Sequence, residues 1–152
     1  MPLPNMFTKE IADNIIERIN HLTAETKPQW GTMNVAQMLS HCNVSYEMIY
    51  ENIHTKPTLF FKFILKTLVK NKVVGEAPYP HNGRTAPQFI IKETKNFVIE
   101  KQRLIGYINK TQQLGENYFD NKESNSFGKL NKTEWNNMLY KHLLHHLSQF
   151  EV

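Results

Sequence analysis

Trp135-Asn136-Asn137-Met138-Leu139-Tyr140-Lys141-His142-Leu143-Leu144-His145-His146-Leu147-Ser148-Gln149-Phe150 is the stretch whose reading decides the fold. Its apolar residues recur at three- and four-residue spacings, the mark of an amphipathic helix. At about 100° per residue, Trp135, Leu139, His142 and His146 fall within about 60° of one another, at the centre of the apolar stripe. Leu144 lies opposite and His145 at the edge. His142 and His146 are four residues apart, so their side chains stand one above the other. Bare polar groups on a core-facing stripe are costly. Two stacked imidazoles there suit a transition-metal ion.

Working outward, the rest of the chain also divides into helices. Thr8 can cap a first helix to about Leu22, with Ile11, Ile15, Ile16 and Ile19 inward. A connector from Thr23 to Thr32 holds Pro28, Trp30 and Gly31. Asn34 or Thr32 can cap a second helix to about Asn52, with the stripe Val35, Met38, Leu39, Cys42, Tyr46 and Ile49. Pro57 opens a third, to about Asn71. Residues 74–92, rich in Pro and Gly, read as a long ordered loop. Thr94 or Asn96 opens a fourth helix with the stripe Phe97, Leu104 and Ile108, stopped near Leu114 by Gly115. Residues 116–130 read as polar loop. Asn131, with Glu134 three residues on, resembles a capping box that opens the last helix. Val73-Val74 and Phe89-Ile90-Ile91 are the best strand candidates, and both are weak. The expectation is one all-α domain over 1–152, a four-helix bundle with an additional shorter helix.

The composition agrees. Of 152 residues, 40% are hydrophobic and 21% charged, ordinary for a globular chain. The net charge of +4 comes from Lys and Arg spread along the chain without a nucleic-acid-binding motif, which argues against a nucleic-acid partner. One cysteine, Cys42, excludes an intrachain disulfide and fits a reducing compartment. The first ten residues, MPLPNMFTKE, lack a signal-peptide pattern, so the expected location is cytoplasmic. Leu59 to Val74 is too short and too interrupted by lysines to span a bilayer. Leu59 to Lys70 is amphipathic and basic. It could lie on a membrane surface, but the favoured reading packs its apolar face into the core or a dimer interface, with the lysines in water. No membrane partner is therefore expected, and a homodimer is compatible with the sequence.

A metal site needs a further ligand beyond His142 and His146. The best candidate is His41, which flanks the apolar stripe of the second helix. Trp30-Gly31-Thr32-Met33-Asn34-Val35-Ala36-Gln37-Met38-Leu39-Ser40-His41 resembles an early motif in a branch of the DinB-like superfamily. Phe127-Gly128-Lys129-Leu130, then Glu134-Trp135 and Tyr140 through Phe150, resembles the late motif of that branch. The resemblance runs loosely over nearly the whole chain. It implies a DinB-like four-helix bundle and a three-residue metal site, with His41 matching the single histidine of the early motif and His142 and His146 the spaced pair of the late one. Related members include thiol-dependent transferases and isomerases that use bacillithiol or mycothiol. Some relatives end in Arg-Gly-Gln after the last ligand. This chain has Leu147-Ser148-Gln149, so no role of that arginine transfers.

Three imidazoles leave open positions on zinc, nickel, manganese or iron, and ligand type does not choose among them. The function expected is a divalent-metal-dependent enzyme, a hydrolase or a low-molecular-weight-thiol transferase, acting on an unknown small-molecule substrate. The alternative is a non-catalytic metal- or small-molecule-binding bundle protein. No catalytic residue is assigned. Glu47, Glu100, Tyr46 and Tyr140 are candidates for a base or for groups behind the ligands. Cys42 reads as packing, Trp30 and Trp135 as core anchors, and His145 as a rim residue. His21, His54 and His81 read as solvent-exposed.

Overall fold

The computed structural model describes residues 1–152. Six α-helices carry the fold: α1 Lys9–His21, α2 Val35–Tyr50, α3 Leu59–Leu68, α4 Lys70–Val74, α5 Phe97–Phe119 and α6 Lys132–Gln149. A 3-10 turn at Pro87–Phe89 lies in the loop before α5. The protein is all-α except for one small hairpin between α5 and α6, in which β1 (Lys122–Ser124) pairs antiparallel with β2 (Gly128–Leu130). Helices α1, α2, α5 and α6 surround one apolar core that contains Ile15, Ile19, Met38, Leu39, Leu104, Ile108, Trp135 and Leu139.

The two helices that carry the histidines begin with reciprocal caps. Asn34 Oδ1 accepts from the Gln37 backbone at 2.9 Å, and Gln37 Oε1 accepts from the Asn34 backbone at 3.0 Å. Asn131 and Glu134 repeat this at α6, at 2.9 and 3.0 Å. Each box satisfies backbone donors that the first turn otherwise leaves open, so the start of each helix is fixed. Asn96 caps α5 through the Ile99 N–H. Thr8 stands at the α1 N-cap position, but its hydroxyl donates to the Asn5 carbonyl and caps nothing.

Four expectations need correction. The third helix starts after Thr58, which caps it through the Phe61 N–H, and it divides into α3 and α4 at Val69. Gly115 does not end the fourth helix. It sits at φ 73°, kinks α5, and helical turns resume to Phe119. Neither Val73-Val74 nor Phe89-Ile91 is a strand, whereas the segment read as polar loop holds the hairpin. Finally, α3 does not pack its apolar face into the core of this chain: none of its residues is buried, and only Leu65 lies partly against the core, which leaves the dimer-interface half of the expectation.

Buried polar side chains of α6 tie the periphery to the helical core. Asn136 accepts from the Met6 N–H at 2.8 Å and donates to the Pro4 carbonyl. Asn137 donates to the Val74 carbonyl at 2.9 Å. The Lys141 ammonium donates to the carbonyls of Lys72, Val73 and Gly75, so it caps the C-terminus of α4. These contacts fix where the 74–92 loop leaves α4. That loop then returns to cover the histidines. No helix is long and apolar enough to cross a membrane.

Candidate metal centre

His41, His142 and His146 meet between α2 and α6. Their ligand nitrogens all lie within 4.8 Å of one another. The ring centroids form a nearly even triangle: 4.9 Å for His41–His142, 4.5 Å for His41–His146 and 4.9 Å for His142–His146. His41 and His146 are buried, and His142 is half-buried. The three residues expected from sequence are therefore brought together.

Each ring is held from behind at Nδ1. His41 Nδ1 donates to the Phe89 carbonyl at 2.7 Å. His146 Nδ1 donates to Gln149 Oε1 at 2.7 Å. His142 Nδ1 lies 3.0 Å from Ser45 Oγ, one turn beyond His41 on α2. A carbonyl and an amide oxygen can only accept, so in the neutral rings the proton of His41 and of His146 sits on Nδ1. Their Nε2 lone pairs face the common centre: that of His41 accepts from His142 Nε2–H at 2.9 Å, so Ser45 donates to His142 Nδ1, and that of His146 has no partner. This is the way proteins orient ligating imidazoles.

The donor set fits a borderline divalent ion. On zinc, with bonds of about 2.1 Å, tetrahedral nitrogens stand about 3.4 Å apart; the Nε2 atoms of His41 and His142, in hydrogen-bond contact at 2.9 Å, would part by about 0.5 Å to hold the ion. All three rings are also held neutral. Burial lowers His41, with the nearby His145 adding to it against the opposing Phe89 bond. Burial, then His41 and His146, push His142 well below the ordinary histidine range. Burial and His41 bring His146 down to about 3. Neutral imidazole is the form that ligates.

A ring of aromatic groups covers the site. Trp30 stacks on His81 with centroids 3.7 Å apart and planes 10° apart. His145 meets Trp30, Tyr79 and His81 edge-on, and stands 5.0 Å from the His146 ring. The rim reading of His145 agrees with this. His81, expected in solvent, is exposed yet seated on Trp30. Gln149 joins cover and centre: its Nε2 donates to the Trp30 carbonyl at 2.7 Å. Gly31, at φ 81°, makes room for it, since a Cβ there would stand 2.7 Å from that nitrogen.

The other candidates lie elsewhere. Glu47 and Glu100 are buried, but Arg103 bridges them at 2.5 and 2.9 Å. His54, expected in solvent, bonds Glu47 at 2.6 Å. Tyr46 is fully buried, stacks on Tyr107 and leaves its hydroxyl without a partner. None of these groups, nor Tyr140, hydrogen-bonds the three histidines. Cys42 is buried, its thiol pushed up by burial and turned to Met38 Sδ, as packing requires. Sequence reasoning missed Ser45, Gln149 and the Phe89 carbonyl. The spacing His146–Gln149, three residues on one helix, was a usable signal for one of them.

The family model described as protein of unknown function (DUF1569) matches residues 6–152. The chain belongs to the DUF1569 family. No curated protein and no solved structure matches it.

Proposed function

We propose that this DUF1569 protein is a divalent-transition-metal-dependent enzyme built on a DinB-like four-helix bundle of α1, α2, α5 and α6. The observation that carries the reading is the common orientation of His41, His142 and His146, with Nδ1 bonded outward and Nε2 directed inward. Three protein ligands would leave positions open on a bound ion for a further ligand. A zinc, nickel, manganese or iron ion held there would act as a Lewis acid, making water or a thiol more acidic. The protein's part is to hold three neutral rings, to keep bulk water out with Trp30, Tyr79 and His81, and to set His145 beside the centre. Hydrolysis and transfer of a low-molecular-weight thiol both use such a centre, with a small-molecule substrate in each case.

Elemental analysis of tag-free protein beside His41→Ala and His142→Ala/His146→Ala tests the site. About one equivalent of metal in the parent and none in the variants supports it. Metal-free parent protein that zinc, nickel and manganese all fail to stabilise would reduce the site to hydrogen-bonded core histidines. Turnover screens with hydrolase substrates and thiol acceptors follow on the loaded protein.

A second reading is a non-catalytic metal- or small-molecule-binding protein. It is favoured by the low exposure of His41 and His146, 6% each, beneath the Trp30–His81 stack. A loaded protein with no exchangeable ligand position would support that reading.

A further inference from the structure

Helix α3 is amphipathic, and its apolar face looks away from the protein. Leu59, Phe60, Phe63 and Leu68 retain 89%, 75%, 63% and 70% of their surface. At about 100° per residue they occupy one half of the helix, with Thr67 near its middle. The Thr67 hydroxyl donates to the Phe63 and Ile64 carbonyls at 3.0 and 3.1 Å, so nothing polar on this face requires water. The opposite half holds the helix down. Leu65 and Val69 pack against the core, and Lys62 bonds Glu123 of β1 at 2.5 Å. Lys70, just beyond, pairs with Glu134 at 2.7 Å. Single exposed apolar residues are ordinary, but a contiguous aromatic and leucine face marks an interaction surface.

Charge indicates what covers it. Residues 53–75 carry Lys56, Lys62, Lys66, Lys70 and Lys72 and no Asp or Glu. Lys62 and Lys70 are paired inward, while Lys56, Lys66 and Lys72 make no ion pair and are exposed. Lys66 borders the apolar half beside Leu59 and lies against Gly128 of β2, near Glu123, whose carboxylate is paired with Lys62. Two copies meeting through this face would bring these lysines together with no α3 carboxylate between them. An outward helix half with apolar residues at its centre, the unpaired Lys66 at its edge and the unpaired Lys56 and Lys72 in the segments that flank it matches an interfacial helix, whose lysine stems snorkel to anionic headgroups.

We propose that α3 docks this protein on an anionic lipid surface. Leu59, Phe60, Phe63 and Leu68 enter the boundary between headgroups and acyl chains, and Lys56, Lys66 and Lys72 meet lipid phosphates and carboxylates. The helix has 10 residues, so the association is peripheral. It reverses the preference for buried packing drawn from the sequence and is independent of the metal reading.

The test is co-sedimentation of the full chain with phosphatidylcholine vesicles, with and without phosphatidylserine, at low and high salt. The expected result is pelleting with phosphatidylserine at low salt, release at high salt, and binding weakened about tenfold or more in both Phe60→Ser/Phe63→Ser and Lys66→Glu/Lys72→Glu. All four side chains are exposed, and circular dichroism checks that the variants keep the parent fold. Parent protein that stays in the supernatant with phosphatidylserine at low salt overturns the proposal. So does equal pelleting of parent and Phe60→Ser/Phe63→Ser. A dimer in sedimentation equilibrium that Phe60→Ser/Phe63→Ser dissociates, without lipid binding, overturns it in favour of a second copy on this face.

Discussion

Replacing Gln149 with Leu should weaken metal binding at the proposed three-histidine site without touching a proposed ligand. Gln149 is buried and makes two side-chain bonds, accepting from His146 Nδ1 and donating to the Trp30 carbonyl, each 2.7 Å. Removing the partner behind a ligating imidazole costs about 10–100-fold in metal affinity, or about 1.4–2.8 kcal/mol. With zinc at about 100 times the parent's Kd, the parent gains about 2.7 kcal/mol and the variant about 0.4–1.4 kcal/mol. At about 2–4 °C per kcal/mol for a chain of this size, zinc raises Tm by about 5–11 °C in the parent and about 1–6 °C in Gln149→Leu. The metal-free variant also loses about 1–3 kcal/mol, because the Trp30 carbonyl is left unpaired. Calorimetry with and without zinc separates the two effects, and competition with a chromophoric chelator gives the affinity directly. Gln149→Glu keeps the acceptor for His146 and loses the donor to Trp30. It should therefore retain most of the affinity while losing stability. An equal zinc-induced shift in parent and Gln149→Leu would refute the reasoning, since His146 would then not depend on this bond or would not ligate.

Three further outcomes are expected. Gly31→Ala forces a side chain onto a φ of 81° and against Gln149 Nε2, so it should cost about 1–2 kcal/mol and weaken zinc binding in the chelator competition. Tyr46→Phe removes a buried hydroxyl with no partner and should raise Tm by about 2–4 °C, and a marked fall would reveal a bond the structure does not show. Arg103→Met leaves Glu47 and Glu100 buried without their shared cation. The loss should be about 2–4 kcal/mol in denaturant unfolding, below the figure for a wholly buried pair because Arg103 keeps 34% of its side chain exposed.

Much of the fold was legible because α1, α2, α5 and α6 carry apolar stripes long enough to show a period. Two of them also begin at caps readable in Asn34 and Asn131. The hairpin was not legible, because three-residue strands such as Lys122-Glu123-Ser124 are too short to display alternation. Gly115 correctly marks a left-handed residue, but whether turns resume beyond it depends on what Phe119 packs against, here Phe7 and Trp135. The direction of α3 was illegible in principle. An amphipathic pattern fixes that a helix has two faces, and the long-range pairs Lys62–Glu123 and Lys70–Glu134 fix which one turns inward. The buried Lys141 is a similar case, since its three acceptors lie on a segment 66 to 69 residues away.

The centre shows the same division between periodicity and contact. His142 and His146 are visible from their spacing on one stripe, and His41 from the residues around it. What makes the three rings a site is the set of groups behind them, and those come from elsewhere in the chain: a backbone carbonyl at Phe89, a hydroxyl at Ser45 and an amide at Gln149. Gln149 also explains why the Trp30-Gly31 and His142–Phe150 stretches act together. Its amide spans from His146 to the Trp30 carbonyl, and only a residue without a Cβ at position 31 leaves the space for that reach. The connector before α2 and the last turn of α6 are thus one mechanical unit. The histidine pattern alone would permit either a ligand set or a buried hydrogen-bond chain. With Nδ1 of His41 and of His146 each donating to an oxygen acceptor, both Nε2 atoms face the centre as lone pairs; that of His41 accepts from His142 Nε2–H, while that of His146 has no partner, and a cation at the centre would satisfy all three.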